Sequence, residues 1–238
     1  MSKSLRLAIV GYGKMGYLIE RLAPSHGCEV VARLDSKNND NGRALTSDVL
    51  TGVDVAIEFT HPEAAPGNLK RLAAANIPTV TGTTGWFSHL PDVRSAFEAA
   101  RAGLVYSPNF SIGVAVFKKL IAMAGDMLKD ETEYGAWAWE IHHDAKKDAP
   151  SGTLLQLVEA LKAAGYRRHV DMSSSRAGKH PGTHEIGFDS LADTITLRHV
   201  ARSREGFALG ALKAARWIPS RQGVYTFEDV LFGASGES

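Results

Sequence analysis

Residues 5–16 read Leu-Arg-Leu-Ala-Ile-Val-Gly-Tyr-Gly-Lys-Met-Gly. Leu5 to Val10 is an apolar run broken only by Arg6, short enough for one buried strand. Gly11, Gly13 and Gly16 follow at the GxGxxG spacing, and helical spacing continues from Lys14 to Leu22, where Pro24 stops it. A strand, a glycine loop and a helix in that order are the phosphate-binding turn of a dinucleotide fold. The first glycine makes the turn, the second lets a pyrophosphate approach the backbone, and the third lets helix and strand pack closely. The helix start adds unpaired N–H groups and a positive dipole end. A glycine pattern alone also fits an unliganded turn; here the strand–loop–helix context favours the ligand.

The next apolar run, Cys28 to Leu34, ends at Asp35, about 20 residues after Gly16, where a carboxylate would accept ribose hydroxyls. Gly11, Tyr12, Gly13, Lys14, Met15, Gly16 and Asp35 are therefore the expected cofactor contacts. Asp35 favours NADH, because a 2′-phosphate would meet like charge; Arg33 and Lys37 beside it soften that repulsion. NADH and NADPH both stay open.

Further strands are expected at Val53–Phe59, Ile77–Thr81 and Leu104–Tyr106, with helices at Pro62–Ala75 and Leu90–Arg101 between them. Apolar runs alternating with helices predict parallel strands covered on both faces, hence a doubly wound α/β sheet. Two loops fall at strand ends, Gly82-Thr83-Thr84-Gly85 and Ser107-Pro108-Asn109-Phe110, where open α/β sheets hold their ligands. Both are expected around the nicotinamide.

The pattern changes after Pro108. Helices are expected at Ile112–Leu128, Ser151–Ala164 and Phe207–Trp217. Strands are expected at Tyr134–Ile141, near Ile195–His199 and, as a returning strand, at Val224–Leu231. The polar stretch Arg167–Gly187 reads as a long loop.

With 238 residues the chain has room for one large domain or two small ones. Lys plus Arg is 27 against 26 acids, a balance that disfavours a nucleic-acid or membrane surface. A single cysteine, Cys28, excludes an internal disulfide framework and a multi-cysteine zinc site. No metal is expected. With no apolar run of about 20 residues and no cleavable leader pattern, a cytoplasmic protein is expected.

The chemistry concentrates at residues 140–153, Glu-Ile-His-His-Asp-Ala-Lys-Lys-Asp-Ala-Pro-Ser-Gly-Thr. His142 can give a proton near neutral pH, Lys146 can hold a carboxylate, and Ser151, Gly152 and Thr153 open a helix with free N–H groups. On composition alone a solvated turn with a serine cap fits equally well.

The strings GYGKMG (11–16), GTTG (82–85), SPNFSIG (107–113), EIHHDAKKDAPSGT (140–153), GTHEI (182–186) and ARSREGFALGAL (201–212) together resemble the 4-hydroxy-tetrahydrodipicolinate (dihydrodipicolinate) reductases. The resemblance spans nearly the whole chain. It implies a Rossmann-type dinucleotide-binding domain from residues 1–110 and 214–238, with a central α/β domain, residues 111–213, that binds substrate and assembles a homotetramer. It implies NADH or NADPH as cofactor and a small cyclic dicarboxylate as substrate. By the same resemblance His142 is the proton donor, Lys146 the second catalytic residue, and His143, Gly152 and Thr153 bind substrate. The turn Asp144-Ala145 is less basic than in some relatives, and Tyr12 stands where a small residue is common. The alternatives are a related amino-acid or diamino-acid dehydrogenase, or a catalytically silent NAD(P)-binding protein.

Overall fold

In the computed structural model, which describes residues 3–39 and 42–233, the first strand β1 (Leu5–Val10) is fully buried over its last four residues. It lies between β2 (Cys28–Leu34) and β3 (Val55–Glu58). The sheet continues through β4 (Thr79–Thr81) and β5 (Gly103–Tyr106) to β10 (Gly223–Thr226). All six strands are parallel, in the order β10-β5-β4-β3-β1-β2. Ile9 faces helix α1 (Lys14–Leu22), while Ala8 and Val10 alternate to the other face and pack with Leu72 of α3 (Ala65–Ala74). Both faces are covered, so the strands carry apolar residues throughout. The short α2 (Ser47–Leu50) contributes Leu50 to the second of these faces. Helix α4 (Leu90–Ala100) adds Val93 and Phe97 to a cluster around Trp86 and Leu104.

The chain divides into two compact units. One takes in the chain up to Ser111 and from Glu205 onward. The other is Ile112–Arg204. The return to the first unit thus comes at Glu205 rather than at 214, because α7 (Glu205–Trp217) packs whole against α1, β3 and β4. Gly210 lets α7 also lie against the chain after β5: a Cβ there would stand 1.8 Å from the Phe110 carbonyl oxygen. The expected strand Val224–Leu231 is only half strand. Thr226 ends β10 and caps α8 (Phe227–Phe232), exchanging hydrogen bonds with Asp229 in a capping box.

The second unit has a four-stranded sheet, β7-β6-β8-β9, with β6 (Gly135–His142) parallel to β7 (Val170–Arg176) and antiparallel to β8 (Thr183–Asp189), which pairs with β9 (Thr194–Val200). Helices α5 (Ile112–Leu128) and α6 (Gly152–Ala163) cover its inner face, where Phe117, Ile121, Leu157, Leu161, Ile186 and Phe188 form the core. The outer face carries Trp137, Trp139 and Ile141, all half-buried. Gly187 lets the Trp137 indole lie on β8: a Cβ there would be 2.2 Å from the ring.

The expected loop Arg167–Gly187 is instead β7 and most of β8, with only residues 177–182 as connection. Val-Asp-Met-Ser-Ser-Ser-Arg has no alternation because β7 is an edge strand, and its ladder with β6 overrides its weak intrinsic preference. In β8 the polar His184 is buried because that end of the inner face is itself polar, while the buried Thr183 alternates to the other face, beside Ile141. No helix among the described residues is long and apolar enough to cross a membrane.

Candidate active site

The glycine loop fits a dinucleotide on three independent measures. Gly11 has φ +98°, and a Cβ on it would sit 2.1 Å from the Phe59 carbonyl oxygen, so only glycine makes this turn. Gly16 lies so close to β1 that a Cβ would be 2.6 Å from the Gly11 carbonyl oxygen. Gly13, by contrast, has nothing within 4 Å of its would-be Cβ, which is the open approach a pyrophosphate needs. It is also the N-cap of α1 with no side-chain cap, leaving the amides of Lys14, Met15 and Gly16 to a ligand. The amides of Gly11 and Tyr12 anchor the loop on the Leu34 carbonyl at 2.7 and 3.1 Å.

Beside the loop lies a cavity of about 570 Å³ lined by Gly11, Tyr12, Gly13, Asp35, Lys37 and Thr60, among others. Asp35 Oδ1 accepts the amides of Lys37 and Asn38 at 2.8 and 3.2 Å, which fixes the carboxylate at the cavity wall. Arg33 turns away: its guanidinium binds Glu20, which also accepts the Tyr12 hydroxyl. A second hollow, about 640 Å³, lies at the amino ends of the strands by Leu5, Val53 and Gly103. In this fold class ligands lie outside the carboxyl ends, where the glycine loop is.

The two further loops contribute less side-chain chemistry than expected. Thr83 is buried and donates to Glu58 Oε1 at 2.9 Å. Ser107 closes its own turn, donating to the Asn109 carbonyl at 2.8 Å, and Phe110 is packed against Phe227 and Phe59. Gly82 lies against the Phe59 ring. What these loops can offer a nicotinamide is backbone together with Thr84, Pro108 and Asn109. Sequence reasoning missed Glu58, which holds the first of these loops through Thr83. Burial pushes its carboxyl pKa up, against hydrogen bonds from Thr60, Thr81 and Thr83. The signal was an acid closing an apolar strand, with threonines ending the neighbouring strand and loop.

In the second unit, alternation along β6 turns Glu140 and His142 to the inner face. Across the ladder His184 of β8 pairs with Glu140, and Arg176 of β7 pairs with His142. The two imidazoles meet edge to face at 5.0 Å. Glu140 is fully buried, and its Oε1 accepts the Ser151 amide at 2.9 Å, Ser174 Oγ at 3.0 Å and Arg176 Nη2 at 2.9 Å. Burial alone would raise its pKa, but these donors hold it below the usual carboxylate value. Burial lowers the His142 pKa; the Glu140 charge opposes that shift, and Lys146 and Arg176 add to it.

Ser151 caps α6, accepting the Leu154 amide at 3.1 Å, and so aims the helix start at this cluster. Lys146 Nζ holds both oxygens of Asp148, at 2.8 and 2.9 Å, and the Gly152 amide reaches Asp148 Oδ2 at 3.4 Å. Asp148 is thus a carboxylate from the chain itself, seated where a lysine and a helix N-terminus converge. His143 and Thr153 are half-buried beside it in sequence. Glu140, His142 and His184 offer three ligand atoms within 4.8 Å of one another. The Arg176 guanidinium already supplies positive charge to that carboxylate, so the set handles protons better than it would hold a metal.

His184 gives the second unit a pH dependence. Burial, with His142 adding to it, lowers its pKa from 6.5 to about 4. The stability held by the neutral ring is present above pH 6.5 and is lost as pH falls toward 4, about 3 kcal/mol in all. Urea unfolding at pH 7 and pH 4.5 measures it: His184→Gln flattens the difference. Parallel profiles for both proteins contradict the assignment.

Residues 5–110 match the family described as "Dihydrodipicolinate reductase, N-terminus", and residues 113–231 match "Dihydrodipicolinate reductase, C-terminus". The chain is 34% identical to the 4-hydroxy-tetrahydrodipicolinate reductase of Christiangramia forsetii, over 95% of this chain and 98% of that one. It is 35% identical to the reductase of the same name from Thiobacillus denitrificans, over 96% and 98%. Among solved structures, a dipicolinate-bound dihydrodipicolinate reductase from Paenisporosarcina sp. TG-14 shares the fold with a TM-score of 0.80 at 22% identity, covering 95% and 99%.

Proposed function

The chain belongs to the dihydrodipicolinate reductase family, and from that premise we propose how its own residues perform the reduction. It is an NAD(P)H-dependent 4-hydroxy-tetrahydrodipicolinate reductase, yielding tetrahydrodipicolinate for lysine and diaminopimelate biosynthesis. The observation that carries the residue assignment is the convergence of His142, Lys146 and the start of α6 on one end of the second unit.

When bound, the reduced nicotinamide supplies a hydride to the ring carbon conjugated to the imine. The amides after Gly13 and the Asp35 carboxylate hold the cofactor. A substrate carboxylate replaces Asp148 on Lys146 and on the amides of Gly152 and Thr153, with His143 beside them. Charge left by the hydride spreads over the ring nitrogen and the carbon next to the imine, and His142 protonates that carbon. Fixed geometry and charge complementarity supply the rest of the rate. Freshly made condensation product with NADH or NADPH tests the reading: nicotinamide absorbance falls only when both are present. No substrate-dependent fall contradicts it.

Lys146→Ala weakens binding of pyridine-2,6-dicarboxylate by about 10- to 100-fold, the worth of a charged hydrogen bond. It also leaves Asp148 unneutralised in the cradle. Calorimetric titration measures the affinity, and an unchanged value removes Lys146 from carboxylate binding.

A homotetramer formed through the second sheet is part of the same reading. The half-buried Trp137, Trp139 and Ile141 and the exposed Val200 support it, since no element of this unit among the described residues covers them. A cytoplasmic location accords with the biosynthetic role.

A further inference from the structure

Glu140 presents two different oxygens. Oε1 is saturated by three donors, whereas Oε2 is buried with no hydrogen-bond partner. His142 Nδ1 is likewise buried and unpartnered, and the two atoms face each other at 3.5 Å. A small rotation of the imidazole satisfies both at once, and catalytic hydrogen bonds are commonly long before substrate binds. Oε2 also lies 3.4 Å from His184 Nε2, but that nitrogen has a second partner in Ser151 Oγ at 3.2 Å. On its other side the Nε2–Cδ2 edge of His142 lies beside Gly182, where a Cβ would stand 3.0 and 3.1 Å from those atoms, so only glycine accommodates the ring there.

We infer that Glu140 is a positioning residue for the proton donor: its Oε2 accepts the Nδ1 proton of His142 and commits Nε2 to the substrate. This rests on the reductase reading. Ser151, Ser174 and Arg176 hold the carboxylate in place through Oε1, so that it can act as a fixed acceptor through Oε2. The charged and titratable groups facing His142 are Glu140 on β6, Arg176 on β7, His184 on β8, and Lys146 and Asp148 in the turn after β6. Lys146 and Arg176 disfavour the imidazolium, and Glu140 opposes them at the shortest range. In the transfer, the Nε2–H bond of the imidazolium breaks and its electron pair stays on Nε2. The proton forms the new C–H bond on the ring carbon next to the imine. His142 is left neutral, its remaining proton on Nδ1 and hydrogen-bonded to Glu140 Oε2, and solvent returns a proton to Nε2.

Nitrogen-15 NMR of the histidine side chains in the whole protein, without ligand, tests this directly. In the unsubstituted protein the neutral form of His142 carries its proton on Nδ1. In Glu140→Gln it shifts toward the Nε2 tautomer, and its titration midpoint falls by about one unit or more. The kcat of that variant falls by about 10²-fold with KM little changed, and the pH limb of kcat moves to lower pH with the midpoint. An unmoved midpoint and tautomer, or loss of activity with an unmoved pH limb, overturns the inference. If the variant does not fold, the unsubstituted protein still decides: a neutral His142 protonated on Nε2 overturns it. The NMR result needs no substrate, so an inactive enzyme in the absorbance assay would sink the reductase reading and leave this outcome to stand by itself.

Discussion

Replacing His142 with glutamine lowers turnover by about 10²–10⁴-fold, the range that a positioned general acid supplies. Glutamine fills much of the same space and can still accept or donate a hydrogen bond, so the loss reports the missing acid rather than a hole. Cofactor affinity is unchanged, because the glycine loop and Asp35 belong to the other compact unit. The loss appears in kcat and kcat/KM alike, the pattern of an interaction made in the transition state. Steady-state kinetics with a cofactor fluorescence titration checks both halves. Unchanged turnover removes His142 from the mechanism, and a large loss of cofactor affinity shows that the substitution damaged more than the acid.

Gly11→Ala is the second large effect, and it acts on the fold and the cofactor together. The new methyl must share space with the Phe59 carbonyl oxygen 2.1 Å away, on a backbone with φ +98° that alanine disfavours. Neither side can yield easily. The Gly11 amide is tied to Leu34 at 2.7 Å and the Phe59 amide to Val10 at 2.8 Å. The expected cost is about 4 kcal/mol of stability, with NADH binding lost. Gly13→Ala separates the two effects. Nothing in the protein opposes its methyl, so it melts like the unsubstituted protein and loses affinity only for the cofactor. Thermal denaturation and NADH titration of both variants decide it. Normal cofactor affinity in Gly13→Ala contradicts the close pyrophosphate approach.

The glycine loop was legible in the sequence because each glycine answers to a local cause: a positive φ at Gly11, an open approach at Gly13, a tight contact at Gly16. The strand β6 was legible as an element, expected at Tyr134–Ile141 and found at Gly135–His142, but which of its faces turns inward depends on the helices that cover it. What escaped depends on partners distant in sequence. β7 has no pattern of its own and exists as a strand through its ladder with β6. Glu58 and Glu140 look like solvent-facing acids until their strands are surrounded, and only then do threonines, Ser174 and Arg176 turn them into buried hubs. Phe110 reads as a loop residue facing a ligand, but Phe59 and Phe227, far away in the chain, enclose it. The end of β10 misled because Thr226 and Asp229 form a cap only when the chain turns there.

The proposed reaction is hydride transfer from a nicotinamide held by the glycine loop to a two-acid ring protonated by His142. Turnover with nicotinamide deuterated at the transferring position, followed by mass spectrometry and NMR of the product, tests it most directly. One deuterium per product molecule is expected, on the ring carbon conjugated to the imine, with the neighbouring carbon drawing its new hydrogen from solvent. A product without deuterium from the cofactor, or with it on another carbon, rules out this hydride transfer.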